Sequence, residues 1–254
     1  MGIDLRNSAS WRRRLSTSSC SNELDGDIKH KLDDEDDYIK NPKTSGYRSH
    51  HLIYCYYSDK KPTYNGRKIE IQLRSKLQHV WATAVETVGT FTGQALKSSI
   101  GARDWLRFFQ LMGTVIALKE GTAPVPNTPI DNNGLLRELQ DCATSLQVET
   151  KLSAYGSALH ELTTKRHKAH FYLLALDPGA KTITVQEYKR EELSRALKDY
   201  TPTEQNIRGK PGGEAVLVSV DSMAALRSAY PNYFLDTVKF REELKSALSG
   251  KIGK

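Results

Sequence analysis

Cysteine is scarce in this chain, and what there is lies scattered. The three cysteines among 254 residues (Cys20, Cys55 and Cys142) show no spacing suited to a metal, and they are too few for a disulfide framework. Reduced thiols and a cytoplasmic setting are the expectation. No apolar run approaches the length of a membrane-spanning helix. The N-terminus also lacks the apolar stretch of a secretory signal, and MGIDLR puts Arg6 where a myristoylation signal needs Ser or Thr. No membrane partner is expected. No internal repeat is visible either.

What the chain does have is uneven charge. The total is +7, in a sequence long enough for one large domain or two small ones. Met1 to Ile39 holds six basic and nine acidic residues, whereas Lys40 to His79 holds nine basic and two acidic. The positive field therefore falls on one short stretch, which suits a nucleotide or an RNA. For most isolated lysines a plain solvated face is the better reading.

That stretch, Asp37 to Arg74, gathers four kinds of chemistry. Gly46 lets a backbone approach a ligand closely, and Tyr47 offers a flat face on which a base can stack. Lys40 and Lys43 supply point charges, and Arg48 supplies a bidentate fork for phosphate. His51 opens an apolar strand, LIYCYY. In KIEIQLR, Ile69, Ile71 and Leu73 alternate with Glu70, Gln72 and Arg74, so Glu70 points away from the core. On the strand alone Glu70 is an ordinary solvent-side glutamate; the surrounding motif reverses that preference.

PKTSGYRSHH and EIQLRS resemble the two signature segments of the RelA/SpoT alarmone synthetases, roughly P-K-x-x-G-Y-x-S-x-H and E-[IV]-Q-[IVL]-R-[TS]. WATAVE downstream is similar to the helix of the small synthetases, so the resemblance covers about Asp37 to Thr90. It implies transfer of the pyrophosphate of ATP to the 3′-hydroxyl of GDP or GTP. It also implies a nucleotidyltransferase-like mixed sheet packed by helices. Tyr47 would stack on guanine with Gly46 clearing space beside it. Lys43, Arg48 and His51 would meet acceptor phosphates or ribose. Glu70 would bind Mg2+ or help activate the hydroxyl, braced by Gln72 and Arg74. Ser45 stands where many members have asparagine. The family's upstream D-I-x-G-x-R strand has no counterpart, so the donor half of the site is expected to be incomplete, as in a member shortened at its front.

The rest of the chain supports an α+β layout of three parts. Residues 1–36 read as poorly structured, with Arg12–Arg14 near the start. The acidic run Asp33–Asp37 reads as a solvated loop rather than a metal site. Residues 37–166 form the synthetase-like part. Its first helix buries Leu77, Val80, Trp81, Ala84, Val85 and Val88. His79, Thr83 and Glu86 share another face, which reads equally as site lining or as a surface pair. A second helix runs from about Asp104 to Lys119, followed by a proline-rich loop. A long helical stretch from about Asn133 to Lys165 slips phase near Val148, which predicts a bend or two helices end to end. Residues 167–254 read as a small ββαβα unit, with a helix over Glu191–Tyr200 and TPTEQNIRGKPGG as a loop. The KRHKAH cluster, Lys165–His170, suits RNA contact or simple compensation of a helix dipole.

Two further functions stay open: pyrophosphate transfer to the 3′ end of tRNA, as in toxin-like relatives, and a non-catalytic nucleotide- or RNA-binding remnant. An oligomer is compatible with either.

Overall fold

A computed structural model describes residues 29–93, 96, 101–164, 169–177, 180, 182–210, 213–229 and 233–252. Arg12–Arg14 and most of the KRHKAH cluster lie outside these residues. The chain forms two compact units, one of residues up to Asn41 with Arg48–Ser75, the other of Pro42–Tyr47 with Lys76–Lys254.

The first unit is a three-stranded antiparallel sheet in the order β1 (Lys31–Asp37), β2 (His50–Cys55), β3 (Lys68–Leu73). Between β2 and β3 the chain turns through a short 3-10 segment, Pro62–Tyr64, and left-handed Gly66. β1 overturns the loop reading of the acidic run. Strand alternation sends successive carboxylates to opposite faces, and basic groups meet several of them. Lys68 Nζ lies 2.7 Å from Asp33, and His50 Nε2 lies 2.6 Å from Glu35. A register shift between Leu32 and Asp34 marks a bulge. Asp37 ends the strand by accepting hydrogen bonds from the N–H groups of Ile39 and Lys40, both 3.0 Å.

The second unit is mainly helical. α1 (Lys76–Thr92) is buried on several sides. Val80, Trp81, Ala84, Val85 and Val88 are covered as the stripe predicts, but so are Thr83 and Thr87. These threonines settle their hydroxyls locally by donating to the carbonyls of His79 and Thr83. α2 (Arg103–Glu120) buries Trp105, Phe108, Phe109, Met112, Val115 and Ile116, the expected aromatic core. α3 (Asn132–Ser145) and α4 (Val148–Thr164) are the two helices end to end, separated by Gln147 at a left-handed φ of 51°.

A second antiparallel sheet follows, ordered β5-β4-β6, with β4 (Phe171–Asp177), β5 (Thr182–Tyr188) and β6 (Glu214–Ser219). Among the described residues both sheets are antiparallel throughout, so the α+β class holds and no mixed sheet is seen among them. α5 spans Leu193–Arg208 and runs through the sequence read as a loop, Pro202 included. Buried Ala196 and Ile207 anchor its two ends, and Thr203 Oγ1 donates to the Asp199 carbonyl at 2.6 Å inside the disturbed turn. α6 (Val220–Ala229) and α7 (Tyr233–Leu248) follow β6. α7 packs on α1 and α4, and its Phe240 also meets the rings of Phe108 and Phe109 of α2 at 6.2 and 6.0 Å.

Candidate functional site

On the three-stranded sheet, His51 of β2 and Glu70 of β3 lie diagonally across the ladder, His51 facing Gln72 and Ile53 facing Glu70. This puts the imidazole and the carboxylate on one face, with His51 Nδ1 2.6 Å from Glu70 Oε1. Glu70 keeps 47 % of its side chain exposed, as the alternation predicted. Tyr38 stands edge-on to the imidazole, with ring centroids 5.3 Å apart. Burial pushes the His51 pKa below 6.5; the Glu70 carboxylate opposes this, and Arg74 adds a smaller push downward. The result is an imidazole biased to neutrality and oriented by a carboxylate.

Arg74 Nη2 donates to Gln72 Oε1 at 2.7 Å. Arg74 therefore braces Gln72, while the group that holds Glu70 is His51. Arg48 is buried, 3 % exposed, rather than presented as an open phosphate fork. His50 and Glu35 form a second imidazole–carboxylate pair that the sequence reading missed. The signal was available in the strand period, because adjacent histidines on β2 must face opposite ways. Asp37 was also missed. Burial tends to raise its pKa, but the N–H groups of Lys40 and Ile39 bring it below 3.8.

The positive field is tempered by this arrangement. With β1 beside β2, the described residues of the sheet unit carry nine basic and seven acidic side chains.

The tyrosine loop belongs to the helical unit. Gly46 adopts φ 90°, and a Cβ there would meet the Phe109 carbonyl oxygen at 2.8 Å and Trp81 Cζ2 at 3.1 Å. Across from it, a Cβ on Gly113 would meet Gly46 Cα at 3.0 Å. The room expected beside Gly46 for a ligand is thus filled by α2, and the two glycines are what let loop and helix touch. Tyr47 is 7 % exposed, so its ring is packed rather than open on a face. Exposed Lys43 places its ammonium 5.6 Å from the ring centroid. Ser45 Oγ accepts from the Tyr47 N–H at 3.3 Å, a local turn bond.

The polar face read on α1 is structural. Thr83 is buried, and His79 Nε2 lies 3.3 Å from Asp236 of α7. Among the described residues no three His, Cys, Asp or Glu side chains gather as a metal site. Glu70 alone, half exposed on an open sheet face, does fit Mg2+, which takes one or two protein carboxylates and fills its other positions with phosphate oxygens and water.

Two small antiparallel sheets together with helices define an α+β protein, and one of its sheets carries a carboxylate–imidazole pair. Residues 16–89 are identified as a RelA/SpoT region, matching the family described as "Region found in RelA / SpoT proteins". The match takes in all three strands of the first sheet and most of α1, and it begins upstream of the tyrosine motif. It bears out the resemblance carried by PKTSGYRSHH and EIQLRS and is consistent with a RelA/SpoT family member. No curated protein matches the chain. Among the described residues no helix is long and apolar enough to cross a membrane.

Proposed function

We propose that the chain acts on guanine nucleotides, transferring the pyrophosphate of ATP to the 3′-hydroxyl of GDP or GTP. The observation that carries the reading is the Glu70–His51 pair within the RelA/SpoT region. Phosphoryl-type transfer needs little covalent help from a protein; it needs an aligned hydroxyl and charge compensation on the phosphates. Glu70 is the residue that would hold Mg2+, and the ion when bound supplies that compensation. The Glu70 carboxylate also fixes the His51 ring, whose lowered pKa leaves it able to take a proton near neutral pH. Gln72, held by Arg74, keeps its carboxamide fixed on β3 beside Glu70.

With no counterpart of the family's upstream strand in the sequence, the donor half of the site is incomplete on this reading, and transfer is expected to be slow relative to acceptor binding. The test is thin-layer chromatography of labelled ATP incubated with Mg2+ and with GDP, GTP or tRNA in turn. Label appearing on a guanine nucleotide, and lost in Glu70→Gln, supports the proposal. Label on tRNA alone moves the chain to the tRNA-modifying reading. Binding of GDP without any labelled product leaves a nucleotide-binding remnant.

A further inference from the structure

The four strand edges of the two sheets are not equally protected. An open edge presents unpaired N–H and C=O groups, and folded proteins blunt such edges with charge, bulges, proline or cover. β1 carries five consecutive acids and a bulge. β3 carries Lys68 and Glu70. β6 is covered, with Ala215, Val216 and Val218 buried and α5 and α6 packed against it. β5 has none of these devices. It is seven residues long, pairs with β4 in unbroken register from Tyr188 to Thr182, and holds one charge, Glu187, near its end. Among the described residues it pairs with no other strand. α5 covers only the Tyr188 end, where Tyr188 is buried with Ala196 and donates to Asp199 at 3.0 Å, while a cavity of about 240 Å³ lies between Thr184 and Gln186 on the strand and Thr203, Asn206 and Ile207 on the helix.

We infer that β5 is a self-association edge, pairing antiparallel with β5 of a second copy about a two-fold axis at Thr184. The choice of occupant rests on self-complementarity. Centred on Thr184, the pairing sets Ile183 against Val185 of the other copy, twice, and Thr182 against Gln186, twice. Apolar faces apolar and polar faces polar, which is the pattern that stabilises cross-strand pairs. Ile183 and Val185 are only half-buried in the single chain, so a second strand would complete their cover. Moving the centre one residue on, to Val185, would set Ile183 against Glu187. A two-fold contact of this kind is closed, giving a dimer with one continuous six-stranded sheet rather than a fibre.

The experiment is sedimentation analysis of the full chain over a range of concentrations, with variants at exposed positions. The parent chain is expected to double its mass as concentration rises. Thr184→Lys, which sets two lysines opposite each other at the axis, is expected to stay monomeric with an unchanged circular dichroism spectrum. Thr184→Cys is expected to form a disulfide-linked dimer on mild oxidation, because directly opposed Cα atoms lie roughly 4.5–5.5 Å apart. Thr182→Cys, displaced along the strand from its own copy, is expected not to. A parent chain that is monomeric throughout, a dimer that survives Thr184→Lys, or cross-linking at Thr182 instead of Thr184 would each overturn the assignment.

Discussion

At the scale of single residues, the acid–base pair on β2 and β3 is the most informative feature. Because the Glu70 carboxylate raises the His51 pKa against the effect of burial, Glu70→Gln should lower it further. An NMR titration of the imidazole reads this directly and needs no turnover. The same variant should keep its fold, since Glu70 is half exposed, and should lose labelled product. Tyr47 makes a different case. With its ring packed, Tyr47→Ala should cost about 3–5 kcal/mol of stability, as truncation of buried aromatics does. Tyr47→Phe, which keeps the ring, should retain most of it. Urea unfolding of both variants checks the difference.

At the scale of elements, the loop around Gly46 and the sheet have separate sensitivities. Gly46→Ala combines a strained φ with a Cβ pressed on the Phe109 carbonyl, in the body of α2. Strain and overpacking together should cost about 2–4 kcal/mol, measured as a fall in the urea midpoint. The sheet should respond to acid. His51 has a folded pKa below 6.5 and Asp37 one below 3.8, so both bind protons more readily when unfolded. Their contributions are complete above those reference values. The His51 contribution is lost first as pH falls from 6.5 through its folded value, and the Asp37 contribution follows below 3.8. Hydrogen exchange of the β2 and β3 amides should therefore quicken in relative terms between pH 7 and 5, after correction for intrinsic rates.

For the molecule as a whole, the last helix carries much of the helical unit. Phe240 is fully buried against Phe108 and Phe109, and Lys119 of α2 reaches Glu243 of α7 at 2.7 Å. Phe240→Ala should destabilise by about 3–5 kcal/mol, because the cavity opens among large aromatic rings that cannot collapse into it. Thermal unfolding followed by near-ultraviolet circular dichroism should show the loss in the aromatic signal of α2. A short C-terminal deletion that removes α7 should behave no better than this variant.

Patterns of short period could be read from the sequence alone, because they record which face of an element is buried. The alternation of KIEIQLR set Glu70 on the polar face, the aromatic stripe of α2 marked a core helix, and the phase slip near Val148 marked the break at Gln147. The two signature segments identified the RelA/SpoT region before any coordinates. Features that depend on a partner elsewhere in the chain were beyond such reading. Five adjacent acids become a strand because β2 offers a ladder and Lys68 and His50 offer counter-charges, none of which is local. Pro202 sits inside a helix because burial of Ala196 and Ile207 outweighs the bond it removes. Gly46 and Tyr47 are packed because α2 and its Gly113 meet them across more than sixty residues of sequence. Local chemistry named the residues; tertiary packing decided which of them face solvent, and therefore which can meet a substrate.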